Sequence, residues 1–184
     1  MDARHVGGVA SAAADEHTIP HDAHAVLEPE LFNPEKRQWT TMAPMQVDRL
    51  YHSNALLLPD GRVMAAGSNP ARGINELRIE IYHPPYLFRG PRPEITQAPT
   101  AIPYGQAFEI EAADDITEVA LIRPAATTHC LTTSRYVGLP FSQLSANRIV
   151  AVVPPNKNLA PPGYYMLFVV RQGIPSKAKF VQLQ

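Results

Sequence analysis

A phenol and an imidazole stand side by side at Tyr51 and His52, within Arg49-Leu50-Tyr51-His52-Ser53. The pair directly precedes Leu56-Leu57-Leu58-Pro59-Asp60-Gly61-Arg62-Val63, which reads as strand, turn and strand. A second imidazole, His129, lies far downstream in Thr127-Thr128-His129-Cys130. Imidazole nitrogens bind Cu(II) well, copper heads the divalent affinity order, and a phenolate beside two imidazoles suits such an ion. Cu(II) polarises a bound hydroxyl, which makes proton loss to a nearby phenolate feasible. Taken alone, a Tyr-His pair at a strand start also reads as one core and one rim residue, and both readings stand at this point.

The rest of the chain bounds what could position these groups. Its 184 residues admit one domain of ordinary size plus a smaller piece, and 45% hydrophobic residues suffice for a core. A formal net charge of -1, with no Lys/Arg-rich block, argues against a nucleic-acid partner. There are 19 prolines, about twice the usual share, which favours short strands joined by stiff turns over helices. Cys130 is the single cysteine, so no intrachain disulfide forms and the redox compartment is not legible from cysteine. No run approaches the roughly 18 apolar residues of a bilayer-spanning helix, which argues against a membrane partner. The first 24 residues have no apolar core of the signal-peptide kind, so localisation is unassigned.

Residues 1–27 read as a poorly ordered lead-in, rich in Ala, Gly, His and Asp without periodicity. His5, His17, His21 and His24 fall there, as a solvated tail or as adventitious metal ligands without fixed geometry. Residues 28–88 read as strand and turn. Asp60-Gly61 between apolar runs predicts a hairpin, with positive φ tolerated at both residues. Both of its strands are apolar on both faces and are expected to be covered on both sides. Leu77-Arg78-Ile79-Glu80-Ile81-Tyr82 alternates as a half-buried strand should, and Pro84-Pro85 marks a boundary. In residues 89–184, strand candidates fall at 107–111, 116–123, 135–139, 148–153, 164–171 and 177–183, separated by Pro-, Gly- and Asp-rich turns. That spacing, without a convincing helix, predicts an antiparallel sandwich in which 164–170, apolar throughout, is a central strand.

Several motifs along this plan resemble, in order, the galactose oxidase and glyoxal oxidase family of copper radical oxidases. Residues 49–67 resemble its last kelch-type propeller blade, and Asn33-Pro34, Trp39-Thr40 and Met42-Ala43-Pro44-Met45 are similar to a kelch repeat start. Residues 76–87 resemble the crossing into that family's C-terminal domain. Arg92-Pro93, Tyr104-Gly105, Ala120-Leu121-Ile122-Arg123-Pro124, Thr128-His129 and Ala160-Pro161-Pro162-Gly163-Tyr164-Tyr165-Met166-Leu167 continue the likeness, while Gly67-Ser68-Asn69-Pro70 looks closer to the glyoxal oxidase branch. The resemblance implies an all-β protein: an immunoglobulin-like antiparallel β-sandwich (the early-set type) preceded by an incomplete kelch β-propeller segment. It implies that Tyr51, His52 and His129 occupy three copper-ligand positions, with the imidazoles equatorial. Tyr51 would be axial and act as the general base for the substrate hydroxyl, and His129 would sit on a sandwich loop reaching the propeller axis. The implied reaction oxidises a small alcohol or aldehyde by two electrons, with O2 reduced to H2O2. The family is usually secreted.

Copper alone is a one-electron couple, and the family draws its second electron from a tyrosine joined covalently to a cysteine in its N-terminal blades. This sequence contains no match to that region. A kelch propeller closes on roughly four to eight blades, and barely one is present, so the chain is expected to be a truncated, C-terminal part of such an oxidase, inactive alone, with the missing blades as its partner. The alternatives are a non-catalytic sandwich module that binds a partner protein or glycan, and a copper-binding protein without turnover. Cys130 reads as a small buried or half-buried side chain. Trp39 is expected in the core, Tyr86, Tyr164 and Tyr165 in packing, and Arg123 and Arg135 either on the surface or orienting the His129 loop.

Overall fold

Prolines spaced through the sequence leave room for one short helical element among the described residues, the 3-10 turn Pro85–Phe88, which a proline opens. Everything else regular is strand. The computed structural model describes residues 26–34, 36–50, 52–69, 73–112, 115–126 and 135–184. These fall into two compact units. One holds the described chain through Leu58 together with Arg62–His83, and the other holds Pro59–Gly61 and Pro84–Gln184. No helix among the described residues is long and apolar enough to cross a membrane.

Among the described residues the first unit carries five strands: β1 (Glu30–Asn33), β2 (Gln38–Thr41), β3 (Asn54–Leu57), β4 (Val63–Ala66) and β5 (Ile79–Tyr82). β1 and β2 form an antiparallel pair in which Phe32 faces Trp39, their ring centroids 4.8 Å apart. Trp39 is 57% exposed, contrary to the core position expected of it. Among the described residues the pair has no third strand, and β2 is exposed along its length, so the Phe32 ring covers only part of the indole.

β3, β4 and β5 form an antiparallel sheet in that order. The expected hairpin joins β3 to β4, closed by Leu58 N–H donating to Arg62 O at 2.8 Å. Of the turn residues only Gly61 takes a positive φ, +82°. Cover falls on one face of the hairpin rather than two: Val63 and Ala65 are buried, whereas Met64 and Ala66 are half-buried. β5 alternates as the sequence predicts, but with the opposite polarity. Ile79 is 60% exposed, while Glu80 is the half-buried residue. The reason lies in Arg49, whose buried guanidinium draws the Glu80 carboxylate to the inner face.

The second unit carries β6 (Ile95–Gln97), β7 (Ala101–Ile102), β8 (Ala107–Ala112), β9 (Glu118–Ile122), β10 (Tyr136–Leu139), β11 (Phe141–Ser145), β12 (Arg148–Val152), β13 (Gly163–Arg171), β14 (Ile174–Pro175) and β15 (Lys179–Leu183). One sheet runs β10-β9-β13-β15-β7 with β14 attached to β13, and the other runs β11-β12-β8-β6. Among the described residues only the β15–β7 pairing is parallel. Both sheets feed a single apolar cluster: Phe108, Ile110, Ile149 and Ala151 from one, Val119, Leu121, Leu167, Val169 and Val181 from the other. This is an immunoglobulin-like sandwich. β8 shows the alternation that makes it: Phe108, Ile110 and Ala112 are buried and Ala107 and Glu109 exposed. β13 is the expected central strand, hydrogen-bonded to β9 and β15. Tyr165, Leu167 and Val169 enter the shared core, and Met166, Phe168 and Val170 are buried on the other face. Tyr165 is wholly buried and its hydroxyl donates to Pro161 O at 2.7 Å. Tyr164, expected in packing, is instead exposed: it shares the Met166 face at the strand's beginning, opposite Gln182, where that cover ends.

Arg92 fastens three segments of this unit. Its Nε donates to Pro175 O at 2.8 Å, and its terminal nitrogens donate to Asp60 O and Ser176 O, each at 2.6 Å. Burial pulls its pKa below the ordinary arginine value, an effect partly opposed by the nearby Asp60 carboxylate and Tyr86. Arg92→Ala is expected to destabilise the protein by on the order of 3 kcal/mol, since charge-assisted bonds are lost and partly buried carbonyls are left unpaired. Arg148→Ala, which breaks the solvent-exposed pair with Glu109, is expected to cost less than about 1 kcal/mol. Urea unfolding curves, read as midpoint changes at constant slope, check both.

Candidate functional site

The chain approaches the Tyr-His pair through a buried stretch. Val47 and Arg49 are 5% and 3% exposed. A buried guanidinium must find acceptors. One terminal nitrogen of Arg49 donates to Gly67 O at 3.0 Å, the other to Glu80 Oε2 at 3.3 Å. The second carboxylate oxygen of Glu80 accepts from Gln46 N at 2.7 Å. Arg49 Nε is buried with no partner among the described residues. Next to it, Leu50 N donates to Ser68 Oγ at 2.9 Å, and Ser68 O accepts from Glu76 N at 2.9 Å. Residues 46–50 are thereby tied both to the segment leaving β4 and to β5.

His52 follows, exposed and with φ +62°, the left-handed region that a side chain other than glycine's adopts at a cost of roughly 1 kcal/mol or more. Three local features hold it there. Ser53 N donates to Leu50 O at 3.2 Å. His52 O accepts from Asn54 Nδ2 at 3.2 Å. Gly67 lies against the same carbonyl, and a Cβ at that glycine would come within 2.8 Å of His52 O. Gly67 also has φ +74°, so glycine meets both the backbone and the clearance requirement there. The imidazole Nδ1 is 3.0 Å from Asn69 Oδ1. Asn69 Nδ2 in turn donates to Ile74 O and Asn75 Oδ1.

Of the three residues whose types suggest a metal, the structure places His52. Tyr51 and His129 lie outside the described residues, as do Cys130 and the four histidines of the N-terminal lead-in. Among the described residues no three His, Cys, Asp or Glu side chains gather as a metal cluster. The His52 donor fits copper by its chemistry: an imidazole, held on a fixed backbone, with one ring nitrogen engaged by a neutral amide. Arg123 N donates to Arg135 O at 2.9 Å. Arg135 directs its guanidinium to Asn158 O and Leu159 O, both at 2.9 Å.

The residues that sequence reasoning passed over are Arg49, Gly67, Ser68, Asn69 and Glu80. Gly67 had a signal, a glycine at the end of an apolar strand. Ser68 and Asn69 lay in a motif noted only for its family likeness, and Arg49 and Glu80 had no signal, because their partners are distant in sequence.

Comparisons with known proteins bear on both halves. The family model described as "Galactose oxidase-like, Early set domain" matches residues 92–183, and the one described as "Glyoxal oxidase N-terminus" matches residues 8–86. An aldehyde oxidase GLOX of Vitis pseudoreticulata is 40% identical over 167 residues, which covers 79% of this chain and 32% of that protein. A galactose oxidase of Gibberella zeae is 33% identical over 172 residues, covering 88% of this chain and 25% of that protein. A solved fungal alcohol oxidase of the AA5 family, in complex with copper, aligns with a TM-score of 0.80 at 32% identity, over 86% of this chain and 36% of its own. The chain thus spans about a third or less of the length of the curated relatives it matches.

Two expectations follow from the His52 surroundings. Arg49→Met removes one partner of a mostly buried ion pair and is expected to cost about 2–3 kcal/mol, less than a wholly buried pair would because Glu80 keeps some water contact. Chemical unfolding measures it, and an effect below about 1 kcal/mol would show the pair to be incidental. The second concerns Glu76, whose carboxylate accepts from the side chain and backbone N–H of Arg78, which holds its pKa at about 2 against an ordinary 4.5. Because the native value is depressed, the stability Glu76 contributes is present above pH 4.5 and lost as pH falls towards about 2. A carboxyl-resolved NMR titration checks this, and Glu76→Gln should flatten that acid dependence.

Proposed function

This chain belongs to the galactose oxidase and glyoxal oxidase family, and from that premise we propose that it is the C-terminal portion of a copper radical oxidase acting on a small alcohol or aldehyde. The substrate gives up two electrons and two protons, and O2 takes them up as H2O2. The observation that carries this reading is the fold shared with a copper-bound alcohol oxidase across most of the chain.

In this reading His52 and His129 hold the metal through their rings and Tyr51 through its phenolic oxygen. Copper, when bound, supplies a one-electron couple and the polarisation that acidifies a bound hydroxyl. Tyr51 takes the substrate's hydroxyl proton, a general-base role suited to a phenolate beside a cation. His52 keeps its place through the Gly67 contact and the Asn69 bond. Residues 28–88 are assigned to a partial kelch blade and residues 89–184 to the early-set sandwich, with residues 1–27 as a lead-in. The remaining blades are the partner that completes the site and carries the second redox group. The exposed side chains of Leu77, Ile79 and Ile81 support this, since a neighbouring blade would cover them. The same exposed residues favour a second reading, a non-catalytic module that docks a protein or glycan there.

Cu(II) titration of the metal-free chain, followed by electron paramagnetic resonance, tests the assignment. One bound copper with nitrogen couplings is expected, with at least about tenfold weaker uptake in His52→Ala and in His129→Ala. Peroxide from alcohols or aldehydes is expected only when the preceding blades are present. Unchanged copper uptake in both variants would move the ligands elsewhere, to the lead-in histidines for example, and would sink this reading. Absence of copper uptake together with concentration-dependent association would favour the docking module.

A further inference from the structure

Asn69 is oriented by partners other than His52. The Ile74 carbonyl oxygen can only accept a hydrogen bond, so the Asn69 atom 3.3 Å from it is the amide nitrogen. The same nitrogen approaches Asn75 Oδ1 at 2.5 Å. The Asn69 atom 3.0 Å from His52 Nδ1 is therefore the amide oxygen, which also can only accept. The proton of that bond must belong to the ring, so Nδ1 is the protonated nitrogen. In a neutral imidazole the lone pair then resides on Nε2.

We propose that Asn69 is a positioning residue that fixes His52 as its Nδ1-protonated tautomer and so makes Nε2 the nitrogen that ligates the metal. The proposal rests on His52 being a copper ligand, as argued above. A hydrogen bond to the non-ligating nitrogen of a metal-binding histidine fixes both tautomer and ring orientation, and it raises the basicity of the ligating nitrogen. Both ends of this bond are anchored. Ser68, directly before Asn69, uses its hydroxyl and its carbonyl in backbone bonds to Leu50 and Glu76. His52 is held by Gly67 and Asn54. An isolated histidine in water favours the opposite tautomer, with the proton on Nε2, so the Asn69 bond leaves a signature that mere packing would not.

Long-range proton–nitrogen correlation NMR of the metal-free full chain, with the histidine rings neutral and the His52 signals assigned by comparison with His52→Gln, reads the tautomer directly. In the unaltered chain Nδ1 should be the protonated nitrogen. Asn69→Ala should move the ring towards the Nε2-protonated form, whereas Asn69→Asp, which keeps an acceptor oxygen, should retain the first. An Nε2-protonated ring in the unaltered chain, or the same tautomer after Asn69→Ala, overturns the proposal. Cu(II) affinity supplies the second readout: Asn69→Ala should weaken it about tenfold or more, and Asn69→Asp should not. If His52→Ala weakens copper binding and Asn69→Ala does not, the positioning role fails. If the tautomer depends on Asn69 while His52→Ala leaves copper binding unchanged, the copper reading of His52 fails and the control of the ring by Asn69 stands.

Discussion

A guanidinium held almost entirely out of water dictates the arrangement around it. Arg49 is accommodated in its position because a backbone carbonyl and a carboxylate come to it. Those two demands propagate. The carbonyl belongs to Gly67, so the chain leaving β4 is drawn against the segment that enters β3, close enough that Gly67 has no room for a side chain beside His52 O. The carboxylate belongs to Glu80, so β5 turns its charged residue inward and its isoleucines outward. Ser68 adds a bond to Leu50, and the next residue, Asn69, meets the His52 ring. The orientation of one imidazole is thus the outer end of a network that begins at a buried cation.

The sandwich is organised by different physics. Its stability comes from two sheets that close on one apolar cluster, with β13 buried on both faces at its centre. A second arginine appears there too, but it works as a clasp between backbone segments. Arg92 has three carbonyl acceptors and, among the described residues, no carboxylate hydrogen-bonded to it. Arg49 shapes a site, while Arg92 closes a fold. In both cases the planar fork of donors lets one side chain fix segments that lie far apart in sequence.

The sequence was most readable where structure is local. Alternation revealed β8, continuous apolarity revealed β13, and Asp-Gly revealed the turn between β3 and β4. Short strands without a period of their own, β6, β7 and β14, went unseen, and so did β11, whose residues are mostly exposed. The polarity of β5 was misjudged because hydrophobicity predicts which side is apolar, not which side a buried Arg49 will recruit. Trp39 was misplaced because a two-stranded sheet gives a large ring little to bury against. For the site, residue type was enough to single out Tyr51, His52 and His129, and the family resemblance gave them roles. What sets the His52 ring was not legible: its bonds join residues 17 to 31 positions apart, and separations of that size leave no periodic trace.

The turn Pro59–Gly61 groups with the sandwich although the strands it joins do not. Pro59 O accepts from Ala178 N at 2.8 Å, Asp60 O from Arg92, and Gly61 O from the Tyr86 hydroxyl at 2.5 Å. A gene segment that begins after Pro84-Pro85 would encode every strand of the sandwich and still omit three of its acceptors. Recombination between related genes at that apparent joint would swap the sandwich without its upstream tripeptide. Such shuffling succeeds only if the incoming Pro-Asp-Gly presents the same three carbonyls, so this short turn restricts how freely the two halves can be exchanged in evolution.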